Sequence, residues 1–231
     1  MISLAMPTYE TFGRGCEFLR FQFEKFRTQT FKDFEIVISD HSKNGDIKTL
    51  CEEYEGKLNI VYIRNPLKRG SLSHNTNNAI KNCKGDIIKI LFQDDFLFED
   101  DSLQKINDSF CEGMYWIVSS CEHVLDTSTE TYNKIIPRYS DEIMSGVNTI
   151  GNPSVVAFRN LENNILFDEK MTWTVDLDYY KRMHDRYGDP KVIEDTVVII
   201  RIWEKQLTNL ISQKIKRKEE KLIRDRYAKT K

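Results

Sequence analysis

Two adjacent acids, Asp94 and Asp95, are the residues whose type and spacing first suggest chemistry. They follow an apolar run at positions 87–92 that is rich in β-branched residues and typical of a strand buried on both faces. In an open α/β sheet, ligands bind at the carboxyl ends of the strands, which is where these acids would lie. Adjacent carboxylates are costly there unless a cation or hydrogen-bond donors compensate them, and Mg²⁺ and Mn²⁺ prefer oxygen ligands. The pair indicates either a divalent metal site or a solvated acidic turn.

The elements before this strand must place the acids beside other polar groups. The pattern predicts strands at 2–6, 34–39 and 58–63, and helices at 16–28, 46–54 and 74–83. This alternation predicts a parallel sheet with all four strand ends at one edge. The polar groups expected at that edge are Thr8-Tyr9-Glu10, Asp40-His41-Ser42, Arg64-Asn65 and Asp94-Asp95.

The second half of the chain is less regular. The pattern predicts helices at 103–110, at 176–187 and from 207 onward, strands at 115–119, 153–158 and 192–202, and loops at 127–140 and 144–152. The fold class is therefore α/β, a single domain with a Rossmann-like, mostly parallel central sheet flanked by helices, followed by a basic C-terminal helix. We expect a domain at 1–210 and a basic helical tail at 211–231.

Composition narrows the functional classes. With 231 residues, of which 40% are apolar, the chain can bury a sizeable core, and its net charge of −2 gives no overall attraction to polyanions. Its five widely spaced cysteines include no CxxC pair, which favours reduced thiols in the cytosol over a zinc site. We expect no signal peptide and no membrane-spanning segment. The sequence has no GxGxxG after the first strand and no P-loop motif.

Taken in chain order, several segments resemble a family 2 glycosyltransferase of the GT-A fold, from about Ser3 to about Leu210. Gln93-Asp94-Asp95 resembles the DXD-type metal motif, although Phe92 stands where the family usually has its first acid. Val175 stands where the family usually has Glu, just before the position of its catalytic acid. The other matching segments lie at 7–9, 34–40, 75–80, 85–88, 151–154, 167–169 and 174–178.

The resemblance implies a nucleotide-sugar donor, with a UDP-sugar as first choice, bound by residues 1–100. Asp95 would hold Mn²⁺ or Mg²⁺, and Asp94 would contact the ribose or a metal-bound water. Asp40 would accept a hydrogen bond from the nucleotide base, although an N-cap or turn role is the alternative. Arg69 and Arg201 would meet the phosphates. The other nucleotide-binding residues would be Pro7, Thr8, Tyr9, Glu10 and Asn77.

The resemblance also implies inversion at the anomeric carbon, with the acceptor bound by residues 101–210. Inversion needs a general base, and Asp176 matches the family position at the start of a helix, where the helix dipole favours a carboxylate. Asp178 is the runner-up, and a simple helix cap is the alternative for Asp176. The acceptor-binding residues would be Trp173, Asn152 and Ser154.

The basic C-terminal tail is relevant to the identity of the acceptor. From Lys214 to Lys231 there are nine Lys or Arg residues and three acids. This segment would be a solvated helix, a contact for an anionic membrane surface, or a contact for the phosphates of nucleic acid. A glycan or lipid-linked saccharide is the first choice of acceptor, and hydroxymethylated DNA of the phage type is the alternative. A nucleotidyltransferase and a non-catalytic nucleotide-sugar-binding module are the candidates from other classes.

Overall fold

The first half of the chain forms the alternation of strands and helices that the sequence predicts. The structure is a computed structural model that describes residues 1–228. The elements of this half are β1 (Ile2–Thr8), α1 (Gly15–Thr28), β2 (Phe34–Asp40), α2 (Asp46–Glu53), β3 (Ile60–Arg64), α3 (Leu72–Lys81) and β4 (Ile87–Ile90).

The four strands pair in parallel, with β1 between β2 and β4 and with β3 beyond β2. Every residue of β1, β2 and β4 is buried, as expected for strands covered on both faces. The apolar stripe of α1, formed by Phe18, Leu19, Phe23 and Phe26, is buried as well. The predicted parallel half of the sheet is therefore confirmed.

The second half of the chain extends the same sheet. Its elements are β5 (Phe96–Leu97), α4 (Ser102–Ser109), β6 (Trp116–Leu125), β7 (Thr131–Ile135), β8 (Val156–Arg159), α5 (Val175–Tyr187), β9 (Lys191–Ile202), α6 (Leu207–Leu210) and α7 (Gln213–Tyr227).

These strands make the sheet mixed rather than mostly parallel. The order is β3-β2-β1-β4-β8-β6-β9-β5, and β7 pairs with β6 outside that path. β8 runs antiparallel to both β4 and β6, whereas β6 and β9 are parallel. Antiparallel neighbours need no helical crossover, which is why strands and helices do not alternate here. The predicted loop at 127–140 contains β7, and the single helix predicted from 207 is broken into α6 and α7.

The basic C-terminal segment is a packed helix over its described part. Glu219, Ile223 and Tyr227 of α7 are 6%, 0% and 9% exposed. They recur at helical spacing and form one inward face, while the Lys and Arg residues of the segment lie mostly outside it. Residues 229–231, the end of the predicted tail, lie outside the described residues. Among residues 1–228, the structure contains no helix with the length and apolar character needed to cross a bilayer.

Candidate active site

A cleft with a volume of about 790 Å³ opens where β1 and β4 end and where α5 begins. It brings together residues from both halves of the chain. They come from the end of the first strand, from the acidic motif and from the segment expected to bind the acceptor. The predicted site residues that line the cleft are Pro7, Tyr9, Glu10, Arg69, Asp94, Asn152, Trp173 and Asp176.

The loop that follows β1 forms one wall of the cleft and is tied to the acidic motif. The Gln93 side-chain oxygen accepts hydrogen bonds from the Tyr9 backbone N–H at 2.9 Å and from the Thr11 hydroxyl at 3.0 Å. Thr11 and Phe12 have φ values of 46° and 54°, which are strained for residues other than glycine. Gln93 therefore holds a strained loop against the strand end. Tyr9 and Phe12, both on the cleft, are 41% and 53% exposed and pack edge to face.

Asp94 and Asp95 differ in their surroundings although they are adjacent. Asp94 lines the cleft and accepts a hydrogen bond from the indole N–H of Trp203 at 2.9 Å. Asp95 is 1% exposed, and its Oδ2 accepts from the Asn152 amide at 2.8 Å and from the Ser154 hydroxyl at 2.6 Å. Burial raises the pKa of Asp94. Burial and the neighbouring Asp94 charge raise the pKa of Asp95 to about 7.

This donor set fits a divalent cation. Among the described residues, Oδ1 of Asp95 receives only a 3.4 Å contact from the Arg201 backbone N–H, so it keeps lone pairs for another partner. A nearby positive charge would favour the carboxylate forms that burial disfavours in both acids. Within the described chain, no group of three or more His, Cys, Asp or Glu side chains is arranged to hold a metal. One or two carboxylates suffice, however, where substrate phosphates supply the remaining ligands.

Asp176 faces the cleft from the first turn of α5. Its Oδ2 accepts a hydrogen bond from the Asn148 side-chain amide at 2.7 Å, and its Oδ1 accepts from the Leu177 backbone N–H at 2.9 Å. Burial raises the pKa of Asp176 to about 6, against the opposing effect of these hydrogen bonds. The carboxylate is therefore largely ionised at pH 7 and still close enough to neutrality to accept a proton, which suits a general base.

Three predicted nucleotide-binding residues do not line the cleft. Asp40 is 0% exposed, and its carboxylate accepts from the Tyr62 hydroxyl at 2.7 Å and from Arg64 at 2.9 Å. The alternative turn role therefore describes Asp40 better, because its Oδ1 also accepts from the Ser42 backbone N–H. The Thr8 hydroxyl donates a hydrogen bond to the Ser39 carbonyl. Asn77 joins α3 to residues 167–169 through bonds to Phe167 and Glu169.

The other predicted residues outside the cleft support residues within it or near it. Asp178, the runner-up base, is 0% exposed and is paired with Arg182 and Arg226. Arg201 donates to the Asp94 carbonyl at 3.3 Å and pairs with Asp126, so it braces the acidic motif from behind the cleft lining. Ser154 donates its hydroxyl hydrogen bond to Asp95. Neither Ser154 nor Asp95 lines the cleft.

Several cleft residues were not predicted from the sequence. Asn148 holds Asp176, and Trp203 bonds Asp94 directly after β9, where an aromatic residue at a strand end was an available signal. His41, which the sequence placed at this edge of the sheet without a role, lines the cleft, and its Nε2 is buried without a partner among residues 1–228. Burial lowers the pKa of His41, which favours the neutral ring. Asn148 lies in a loop with no regular pattern, so nothing in the sequence pointed to it.

Solved structures with this fold are known. TarS from S. aureus, residues 1–349 in complex with UDP-GlcNAc, superposes with a TM-score of 0.68 at 18% identity, covering 91% of this chain and 61% of that one. A mannosyltransferase from Pyrobaculum calidifontis in complex with GDP-Man and Mn²⁺ gives a TM-score of 0.68 at 15% identity, covering 100% and 64%. The GT-A type fold expected from the sequence is confirmed.

Sequence comparison gives the family. The sequence model of glycosyl transferase family 2 matches residues 3–162, more than half of the chain, and this protein belongs to that family. An uncharacterized glycosyltransferase of Rickettsia typhi is 24% identical over 227 residues, covering 90% of this chain and 66% of that protein. The chain therefore spans less than two thirds of the length of each of these relatives.

Proposed function

We propose that this protein is a metal-dependent, inverting glycosyltransferase that moves a sugar from a nucleotide-diphosphate sugar to an acceptor hydroxyl. The observation that carries the proposal is that Asp94 and Asp176 line the same cleft, so that a motif suited to a diphosphate and a carboxylate suited to a base meet in one space. Family membership and the solved relatives with bound nucleotide sugars support the same reaction class.

Asp176 is the general base of this proposal. The acceptor oxygen forms a bond to the anomeric carbon as the bond from that carbon to the diphosphate oxygen breaks, and the hydroxyl proton passes to the Asp176 carboxylate. Attack from the face opposite the leaving group inverts the configuration. Asn148 keeps the carboxylate aimed into the cleft through its 2.7 Å hydrogen bond. Trp173, also on the cleft, offers a face on which an acceptor sugar can stack.

Asp94 and Asp95 are the residues proposed to hold Mn²⁺ or Mg²⁺. When bound, the cation neutralises charge on the leaving diphosphate. Arg69 adds a second positive charge at the cleft. One of its nitrogens donates to the Ser42 carbonyl at 3.0 Å, which fixes the side chain and leaves other donors for a phosphate.

A UDP-sugar is the first choice of donor, supported by the relatives that are complexed with UDP and UDP-GlcNAc. The acceptor is proposed to be a glycan or a lipid-linked saccharide. Support for the lipid-linked form comes from the exposed face of α7, which carries Lys and Arg residues with Ile215 and Leu222, 41% and 38% exposed. Cations and apolar groups together suit peripheral contact with an anionic membrane surface.

A thermal-shift screen with Mn²⁺ and a panel of nucleotides and nucleotide sugars tests the donor and the metal. Binding to the native state raises the unfolding midpoint by mass action, and at a ligand concentration of about 100 times Kd the gain is about 2.7 kcal/mol. We expect a rise with UDP or one UDP-sugar that is lost in chelator. A flat response to every nucleotide, with or without metal, would sink the proposal.

Substituting Asp176→Asn tests the base. The amide keeps the size of the side chain and cannot accept the proton, so transfer is expected to be lost while the thermal shift with the donor persists. Intact transfer by this variant would rule out Asp176 as the base and leave the donor assignment standing.

A further inference from the structure

The segment 171–174, which leads into α5, carries two cleft residues, one of which, Trp173, is proposed to meet the acceptor. Thr172 and Trp173 lie on the cleft, and Asp176 follows two residues after the segment ends. At its start, the Met171 carbonyl accepts a hydrogen bond from the Ser73 hydroxyl at 3.1 Å. Thr174 precedes α5 and, among the described residues, its side chain makes no capping hydrogen bond to the helix. The segment therefore depends on contacts from elsewhere for its position.

Those contacts come from Glu219 on α7. Its Oε2 accepts hydrogen bonds from three successive backbone N–H groups, those of Thr172 at 3.0 Å, Trp173 at 2.7 Å and Thr174 at 3.1 Å. Its Oε1 also accepts from Thr172 at 3.0 Å. Glu219 is 6% exposed, and burial of an acid is costly unless donors of this kind compensate it. The negative charge also lies at the N-terminal end of α5, where the helix dipole stabilises it.

A neighbouring residue of α7 holds the side chain of the same segment. The Lys216 ammonium lies 4.1 Å from the centre of the Trp173 ring, within the range of a cation–π contact. Lys216 also donates to the Thr208 carbonyl at 2.8 Å. α7 thus fixes both the backbone of residues 172–174 and the ring of Trp173, although α7 itself contributes no residue to the cleft lining.

We propose that Glu219 is a positioning residue for transfer, which holds residues 172–174 so that Asp176 and Trp173 meet the acceptor in the correct geometry. This role rests on the proposed function, because it assumes that Asp176 is the base. Glu219 does not line the cleft and acts chiefly through the backbone, while its charge adds to the effect of burial in raising the pKa of Asp176. A displacement of about 1 Å at such a distance from the reacting atoms can lower a rate on the order of 100-fold.

The test compares Glu219→Ala with Asp225→Asn. Asp225 is an exposed acid on the same helix and makes no hydrogen bond or ion pair within residues 1–228, so its variant controls for loss of one negative charge from α7. Hydrogen exchange of the amides of Thr172, Trp173 and Thr174 reports their bonds without any need for activity. In Glu219→Ala we expect this exchange to speed up on the order of 10- to 100-fold, because hydrogen bonds to a charged group are lost. Exchange in β1 and β2 should stay unchanged.

The kinetic readout separates positioning from general structural damage. With the nucleotide contacts intact, we expect kcat to fall on the order of 10-fold or more while the donor dissociation constant stays within about twofold. Glu219→Gln serves where the alanine variant fails to fold. It keeps one acceptor oxygen and is expected to show the same two changes to a smaller degree.

Two results would overturn the proposal. One is exchange and turnover in both Glu219 variants equal to those of Asp225→Asn. The other is faster exchange at residues 172–174 with unchanged kcat, because the contact would then be structural only. Failure of the proposed function is a separate result, seen as a flat thermal response of the unsubstituted protein to every nucleotide. Transfer that survives Asp176→Asn would overturn only the base assignment. Both results leave the exchange measurement on Glu219 readable.

Discussion

Asp176 and Asp178 show how two acids of one helix turn take different roles. Two positions along a helix correspond to about 200° of rotation, so the side chains point to opposite sides. Asp176 faces the cleft, whereas Asp178 accepts hydrogen bonds from Arg226 at 2.6 Å and from the Tyr227 hydroxyl at 2.7 Å. Spacing on the helix separates the proposed base, Asp176, from the structural acid, Asp178, a distinction that composition alone does not give.

Replacing Asp178 is therefore predicted to affect stability rather than chemistry. In Asp178→Asn, the arginines Arg182 and Arg226 lose a buried partner, and removing one member of such a group costs about 3 kcal/mol. We expect a lower unfolding midpoint in urea and near-normal kcat at a temperature where the variant is folded. Asp195→Asn, at an exposed acid of β9, is the control and should leave both unchanged. A normal unfolding midpoint together with lost turnover would instead indicate that Asp178 is the catalytic residue.

The pH dependence of transfer follows from the raised pKa of Asp176, about 6 because of burial. The proposed base is active as the carboxylate. At saturating metal, where the cation keeps Asp94 and Asp95 ionised, kcat/KM should therefore rise tenfold per pH unit below pH 6 and level off above it. Rates measured from about pH 4.5 to pH 8, with thermal stability followed at each pH, check this prediction. A profile that stays flat between pH 4.5 and pH 7 would contradict a base with that pKa.

At the residue scale, the sequence pointed to residues that line the cleft more often than to the residues that support them from behind. Asp94, Arg69, Trp173 and Asp176 line the cleft. Asp40 does not, because its partners Tyr62 and Arg64 come from the neighbouring strand, and pairing across strands is not visible along one stretch of chain. Glu219 was missed for a similar reason, because its partners are backbone N–H groups of a segment more than 40 residues earlier. Its helical spacing with Ile223 and Tyr227 was the available signal.

At the element scale, the parallel half of the sheet was predictable and the rest was not. Four strands alternate with three helices there, and this alternation permits few topologies. In the second half, β8 is inserted between β4 and β6, and its short run of Val156–Arg159 carries no information on which strands it will join. The register of β6 and β9 also shifts between Ser119 and Cys121, which no periodic pattern indicates.

The role of α7 as a packed element gives a direct stability prediction. Ile223 is 0% exposed, so Ile223→Ala should cost about 2–5 kcal/mol through lost burial and the cavity left behind. Leu222→Ala, at the adjacent and 38% exposed position, makes a change of the same size on the outer face and should cost far less. Chemical denaturation of the two variants compares them. Equal and small effects would mean that α7 is a solvated tail in solution.

At the scale of the whole molecule, the net charge of −2 conceals an uneven distribution. The outer face of α7 collects exposed cations that make no ion pair within the described part of the chain, whereas α1, α2 and α4 pair theirs on the surface. An unpaired cluster produces a local positive potential, which acts within a Debye length of about 8 Å at physiological ionic strength. The exposed cations are Lys214, Arg217, Lys218, Lys221 and Arg224.

This distribution predicts salt-sensitive binding to anionic vesicles through α7, since each basic residue near such a surface contributes about 1 kcal/mol. Sedimentation with phosphatidylserine-containing vesicles should retain the protein at low salt and release it near 1 M salt, where the Debye length falls to about 3 Å. The variant Lys218→Glu with Lys221→Glu should lose retention. The pair Lys81→Glu with Lys134→Glu makes the same change in net charge at exposed positions of α3 and β7 and should retain it. Equal loss in both pairs would indicate a net-charge effect. Vesicles and duplex DNA both present phosphates to the exposed cations of α7. Binding to duplex DNA with no binding to vesicles would therefore indicate that this face of α7 contacts a nucleic-acid acceptor.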